Sequence, residues 1–216
     1  MIKMKWFGHS FWQITADNIT IVIDPFTDIG YDMNIDVSAD VLISSHDHFD
    51  HNNIDLIKGN PLILRNQGKF MHTGETFELF KVWHDKQEGK QLGENLLIKF
   101  TTQGKSFLHC GDLGHIPSSD IIQKIKNIDI LMIPVGGVFT IDAAEATELI
   151  KLIKPKVIFP MHYQTPALNF ELNPLADFLA DYSQIIRSDS NEIELSDDLF
   201  TSIQTPVMVL NYEKKD

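Results

Sequence analysis

The chain has 216 residues, 43% hydrophobic and 22% charged, the balance of a globular protein able to bury a core unaided. Its formal net charge of -12, with no Lys/Arg-rich run, repels phosphate backbones and argues against nucleic-acid binding. A single cysteine, Cys110, excludes an intramolecular disulfide, and no stretch nears the roughly 20 apolar residues needed to cross a bilayer. Met1 to Trp6 lacks the basic-then-apolar layout of a secretory signal, so a cytoplasmic address is expected. No repeat or Pro/Gly-rich linker divides the chain, which predicts one domain over residues 1–216.

Strand-length, β-branched runs open the chain at Ile2 to Phe7, Ile19 to Ile23 and Val41 to Ile43. Further runs lie at Phe77 to Trp83, Leu96 to Phe100 and Ser106 to Gly111. A helix is expected from Ser118 or Ser119, burying Ile121, Ile122 and Ile125, followed by a strand over Ile128 to Ile133. The clearest helix is Asp142 to Lys154: Asp142 suits the N-cap, Glu145 stands three residues on, and Pro155 follows the end. Leu149, Ile150 and Ile153 would form its buried stripe. Val157 to Phe159 and Val207 to Leu210 read as strands, Pro174 to Asp181 as a weaker helix, and Lys214-Lys215-Asp216 as a frayed tail. A β-rich opening followed by αβ alternation predicts two sheets packed face to face with helices outside, rather than one doubly wound sheet.

Residues 41–51 read Val-Leu-Ile-Ser-Ser-His-Asp-His-Phe-Asp-His, a buried strand delivering three histidines and two aspartates at its carboxyl end. In extended backbone His46 and His48 project to one side and can share a cation; a turn into a helix near Asn52 would swing Asp50 and His51 toward a second. The plainer alternative is a polar surface turn. It fits poorly with the hydrophobic strand leading into it, and the pattern arises by chance in roughly one such sequence in a thousand. Further ligand candidates sit just past β-type runs: His84, Asp112 after Gly111, and His162.

Several strings carry a family resemblance: Trp6-Phe7-Gly8-His9-Ser10, Ile23-Asp24-Pro25-Phe26, His46-Asp47-His48-Phe49-Asp50-His51, His84-Asp85, Gly111-Asp112, Ile133 to Thr140 and Pro160-Met161-His162-Tyr163. In this order they resemble the metallo-β-lactamase superfamily, and within it the small metal-dependent hydrolases related to ascorbate-6-phosphate lactonase. The resemblance implies an α+β fold, the four-layered αββα sandwich. It implies that His46, His48 and His84 hold one metal, that Asp50, His51 and His162 hold a second, and that Asp112 bridges them. Leu113 departs from the small hydroxyl residue many relatives carry there, without removing a ligand.

Such a site would use two divalent metal ions and a bridging water or hydroxide to attack a small-molecule ester, lactone or phosphoester, with Asp50 shuttling the proton. Zinc suits the histidine-rich set, and manganese, iron or nickel are accepted by mixed imidazole and carboxylate ligation. No Gly-x-Ser-x-Gly elbow suggests a serine nucleophile, and Cys110 reads as packing. His9 has two readings, a substrate contact at the metal rim or a histidine bonded to backbone. Asp24 is expected to orient a ligand histidine by accepting its second ring proton. Asp85 reads as an exposed loop carboxylate, and Gly136 and Gly137 as a tight turn carrying Phe139 and Thr140 as a substrate wall. His72, His109 and His115 are assigned to packing or solvent.

Two other functions share the motif. An RNA-processing nuclease of the same fold would need a basic groove or gripping arm, and neither is visible in the sequence. A noncatalytic metal-binding regulatory protein would keep the site without turnover. The expected partner is a small molecule, not nucleic acid or membrane, and a homo-oligomer stays open.

Overall fold

The computed structural model describes residues 1–212, so the Lys214-Lys215-Asp216 tail lies outside the described residues. Fourteen strands form two sheets among these residues. The first six-stranded sheet is built from β1 (Lys3–Gly8), β2 (Phe11–Ala16), β3 (Ile19–Ile23), β4 (Val41–Ile43), β5 (Leu62–Leu64) and the late β13 (Glu192–Glu194), in the order β13-β1-β2-β3-β4-β5. The second, eight-stranded sheet uses β6 (Gly68–His72), β7 (Glu75–Trp83), β8 (Glu94–Thr102), β9 (Lys105–His109), β10 (Ile130–Pro134), β11 (Val157–Met161), β12 (Ile185–Arg187) and β14 (Val207–Val209), in the order β12-β14-β11-β10-β9-β8-β7-β6. Its β6 to β9 half is an antiparallel meander; β9, β10, β11, β14 and β12 run parallel.

Period-two alternation assigns each strand's side chains to one face or the other. On the first sheet Met4, Trp6, Ile14, Ile21, Ile23, Val41 and Ile43 point into a core shared with the second sheet, while Phe7, Val22 and Leu42 point outward. Helix α1 (Ser119–Ile125), α2 (Ala143–Ile153) and α3 (Leu175–Leu179) add Ile122, Ile125, Leu149, Ile150, Ile153, Phe178 and Leu179 to that shared cluster. The outer face of the first sheet is covered differently. Phe26, Ile29, Tyr31, Val37, Ile57, Leu168 and Leu172 close over it from loops and from a 3-10 helix at Ile54–Leu56. The αββα sandwich therefore has α-helices over one sheet and packed loops over the other.

Helix α2 has the expected start: the Asp142 side chain accepts the Glu145 N–H, and the Glu145 carboxylate accepts the Asp142 N–H. In α1 the buried pair is Ile122 and Ile125, with Ile121 only partly buried. Strands β2, β5, β6, β12 and β13 were not legible as apolar runs. Tertiary pairing forms them, as where Lys3 to Lys5 of β1 pair with Glu192 to Glu194 on the edge strand β13. Among the described residues no helix is long and apolar enough to cross a membrane.

Candidate metal centre

The parallel strand β4 lies buried between β3 and β5 and ends at Ile43, so the His46 to His51 segment leaves from inside the sheet. The expected extended backbone at His46 and His48 is corrected, and the helix expected near Asn52 is a single 3-10 turn at Ile54–Leu56. Residues 45–51 form bends and a turn, closed by the His51 N–H donating to the His48 carbonyl at 3.0 Å. A turn, not a pleat, sets the ligand directions, because Ser44 and Ser45 divert the chain at once. The Ser44 hydroxyl donates to the His46 carbonyl at 2.8 Å, and the Ser45 N–H donates to Asp24 Oδ1 at 2.7 Å.

The other candidates arrive from strand ends at the same rim. His9 follows β1, Asp24 follows β3, His84 follows β7, Asp112 lies three residues past β9, and His162 follows β11. His9, Asp24 and His162 all sit at positive φ, 49°, 51° and 51°, a left-handed conformation that non-glycine residues rarely adopt. Gly111 and Gly136 permit the tightest approaches. A Cβ on Gly111 would lie 2.3 Å from Asn95 Oδ1, and one on Gly136 would lie 2.2 Å from the His162 carbonyl oxygen. Gly136→Ala is therefore expected to displace His162 and destabilise the protein by about 1–3 kcal/mol, as overpacking does. A melt and a metal titration check it; an unchanged melting temperature with unchanged metal content would contradict the packing account.

Two groups of side chains result, in each of which one donor atom per residue lies within 4.8 Å of the others: His46, His48 and His84, and beside it His9, Asp50, His51, Asp112 and His162. All seven candidate ligands are brought together. Asp112 touches both groups, with Oδ2 3.3 Å from His84 Nε2 and 3.0 Å from His162 Nε2, and Oδ1 3.1 Å from His51 Nε2. Its backbone N–H donates to Asn95 Oδ1 at 3.0 Å, and the Asn95 amide donates to the Cys110 carbonyl at 2.8 Å. Asn95 had no sequence signal, since it lies inside β8 with no motif around it.

His9 is fully buried, with Nε2 3.3 Å from Asp50 Oδ2 and its ring centroid 4.1 Å from that of His162. Asp24 accepts three hydrogen bonds, from the Ser45 N–H, from the Ser45 hydroxyl at 2.7 Å and from His51 Nδ1 at 2.9 Å. That last bond turns Nε2 of His51 toward Asp112, 3.1 Å from Oδ1. Asp24→Asn is expected to weaken metal binding 10–100-fold, the usual cost of losing a partner that orients a ligand, with the fold retained. Competition with a chromophoric chelator measures it; unchanged affinity would deny Asp24 this part.

Among the described residues ten buried side-chain polar atoms lack a hydrogen-bond partner, and five of them belong to this cluster: His9 Nδ1, His51 Nε2, His84 Nδ1, Asp112 Oδ1 and His162 Nδ1. Each such atom costs about 1–3 kcal/mol if left bare. Two groups of imidazole and carboxylate donors, each with one atom per residue within 4.8 Å of the others, are what divalent cations require, so the residues present fit metals.

The electrostatics agree. Burial, reinforced by the neighbouring His51, holds His46 well below its ordinary pKa, so it stays neutral and able to ligate. Burial and then His162 push His9 down to about 4. Burial lifts the Asp112 carboxyl, but His162 and His51 outweigh this and hold it well below the usual carboxylate range. Asp50 is held low in the same way, by His51 and the His9 hydrogen bond against burial. For His51 burial opposes the charge, yet Asp112, Asp50 and Asp24 raise its pKa well above the ordinary value.

Two expectations fail. Asp85 is not an exposed loop carboxylate. It is buried and accepts N–H groups of Gln87, Gly89, Gln91 and Leu92 at 2.7 to 3.0 Å, so it knits the loop after His84. These bonds, Leu92 foremost, lower its pKa to about 2. Thr140 does not wall the metal cavity. Its N–H donates to the Gly137 carbonyl at 3.2 Å, and this turn sends it into the adjoining cavity while its hydroxyl donates to the Ile141 carbonyl. Phe139 does line the metal cavity, with Phe49, Leu92 and Phe170. His109 is buried, its Nδ1 accepting the Gly111 N–H and its Nε2 3.0 Å from the Ser10 carbonyl; Nε2 of His115 accepts the Trp83 N–H.

The family model described as Beta-lactamase superfamily domain matches residues 3–162, a span that ends on His162. The chain belongs to the metallo-β-lactamase superfamily. Among superfamily relatives, a UPF0173 metal-dependent hydrolase of Geobacillus sp. (strain WCH70) is 31% identical, over 76% of this chain and 86% of its own. Another of that name, from Natranaerobius thermophilus, is 29% identical over 76% and 84%. A Thermotoga maritima protein provisionally assigned as a Zn-dependent hydrolase of the superfamily superposes with a TM-score of 0.82 at 35% identity, covering 97% of this chain and 98% of its own. The metallo-β-lactamase fold accounts for the two sheets and for the gathering of strand ends at one rim.

Proposed function

We propose that this protein is a metal-dependent hydrolase that uses a pair of divalent cations to cleave a small-molecule ester, lactone or phosphoester. One observation carries the reading: two adjacent ligand groups, joined where Asp112 of one lies 3.3 Å from His84 of the other, open onto a cavity of about 360 Å³ floored by His48, Asp50, His84 and Asp112. His46, His48 and His84 would hold one cation, Asp50, His51 and His162 the other, with Asp112 between them. Zinc leads because imidazoles dominate the set, and the name of the Thermotoga maritima relative supports it.

Two such cations supply Lewis-acid polarisation of the scissile group and lower the pKa of water toward neutrality. The chain's own residues do the rest. Asp112, buried among four histidines, holds the two groups in register. Asp24 fixes the ring and tautomer of His51. Asp50 stays ionised and is the less buried carboxylate of the floor, so it is placed to take a proton from the attacking water and return it to the leaving oxygen. His9 steadies Asp50 from behind through the contact at Oδ2.

The test is turnover of a panel of esters, lactones and phosphodiesters by metal-loaded protein, before and after exhaustive chelation. Metal-dependent hydrolysis of at least one class is expected. Hydrolysis that survives rigorous metal removal would overturn the reading.

A further inference from the structure

The walls of the cavity differ sharply from its floor. Above the carboxylates and imidazoles stand Phe49, Leu92, Phe139 and Phe170, and among the described residues no lysine or arginine lines it. Phe49 is 63% exposed and Phe139 43% exposed, with Val138 beside it at 63%. Solvated aromatic rings around a polar floor are costly to leave in water and mark a binding surface. Ring contacts run inward from this mouth: Phe139 meets Phe170 edge-on at 6.3 Å, and Phe170 meets His9 edge-on at 5.6 Å.

The loop presenting Phe139 is held in a costly conformation. Val138, a β-branched residue, has a φ of 61° next to Gly137 at 57°, and the Phe139 N–H donates to the Gly137 carbonyl at 2.7 Å. Such strain persists where the surroundings over-determine it, typically at ligand-binding positions. Cations of the cavities on either side are matched already: Arg65 pairs with Asp47 at 3.0 Å, Lys81 with Glu94 and Lys86 with Glu145. Away from the metal positions, an anionic substituent would therefore meet apolar walls and no unpaired side-chain cation.

We infer that the substrate is an uncharged carboxylic ester or lactone bearing a hydrocarbon group, aliphatic or aromatic, that seats between Phe49, Leu92, Phe139 and Phe170, and that it carries no phosphate. This rests on the hydrolase reading and narrows it. In the reaction, water adds its oxygen to the acyl carbon and the acyl C–O bond breaks. The alcohol oxygen leaves with one proton, and the other is released from the carboxylic acid.

The experiment reads binding as well as turnover. Zinc-loaded protein is titrated calorimetrically with alkyl hydroxamates from acetyl to octanoyl and with methylphosphonate, and assayed on the matching 4-nitrophenyl esters and on bis(4-nitrophenyl) phosphate. Hydroxamate affinity is expected to rise about fourfold per methylene over the first few. Phe49→Ser and Phe139→Ser should flatten that rise with metal content unchanged. Affinity flat or falling with chain length in the unsubstituted protein, or preference for the phosphonate and phosphodiester, overturns the inference while leaving a hydrolase in place. A rising series without turnover of any ester or of the phosphodiester upholds the apolar subsite and removes the hydrolase reading. Flat binding together with a dimer that Phe49→Ser dissociates would assign the rings to a second copy of the chain and also overturn it.

Discussion

Asp112→Ala is expected to abolish metal-dependent hydrolysis and to strip the protein of most of its bound metal, although the fold survives. Asp112 is the carboxylate that lies within 4.0 Å of members of both ligand groups, His46 and His84 on one side and His51 and His162 on the other. Loss of a group that merely orients a ligand costs 10–100-fold, so loss of a shared carboxylate should exceed about 100-fold in kcat/KM. Alanine also leaves buried imidazoles facing one another without the negative charge that offsets them, and a chain lacking that charge holds cations poorly. Elemental analysis, kinetics and a thermal melt on the same preparation decide the matter. Full metal occupancy with near-normal turnover would show that Asp112 is structural. Asp112→Asn is the informative companion, since it keeps the shape and the Asn95 contact to the backbone while removing the charge.

Chelation should produce the second large effect, in stability as well as activity. A site whose free metal stands a thousandfold above its Kd contributes about 4 kcal/mol to folding. For a chain of this size that corresponds to about 8–16 °C in Tm for each site. The effect depends on pH in a direction the site predicts. Without a cation His51 binds an extra proton, because its pKa stands well above the ordinary value, and a metal must displace that proton. Below the raised pKa, affinity should climb about tenfold per pH unit and then level as the pKa is passed. The sign reverses for the metal-free protein: the ion pairs of protonated His51 stabilise it fully below the ordinary pKa of 6.5, and this is lost as pH rises through the raised one. Calorimetry in buffers of different ionisation enthalpy counts the released proton. Metal binding that releases none, or a chelated protein with an unaltered melt, would contradict this account.

Much of the site was visible before any fold. The His46 to His51 segment stands out because three imidazoles and two carboxylates rarely fall at such spacing behind a buried strand, and Asp24 stands out at a strand end before Pro25. Asn95 and Ser45 were not visible. Their roles come from hydrogen bonds to groups far away in sequence or diverted by a turn, and neither residue type is unusual where it occurs. Asp85 misled because charges surround it in the sequence. Its burial follows from a loop that wraps its own backbone N–H groups around the carboxylate, which composition does not reveal. Phe170 likewise carried no motif, and it reaches the cavity only because the 165–172 loop packs over the first sheet.

The linear order of residues determined which side chains can bind a cation, which runs alternate as strands and where α2 begins, because each depends on neighbours within a few positions. Only the tertiary structure decided that His84, Asp112 and His162 meet the His46 to His51 turn, and that apolar rings crowd its mouth. Parallel pairing of β9, β10 and β11 brings their carboxyl ends to one rim, and that pairing is a property of the whole sheet. The turn geometry at positive φ in His9, Asp24 and His162 then sets the final ångströms. Such strain is sustained by the packing around it, and no local preference of those residues would select it.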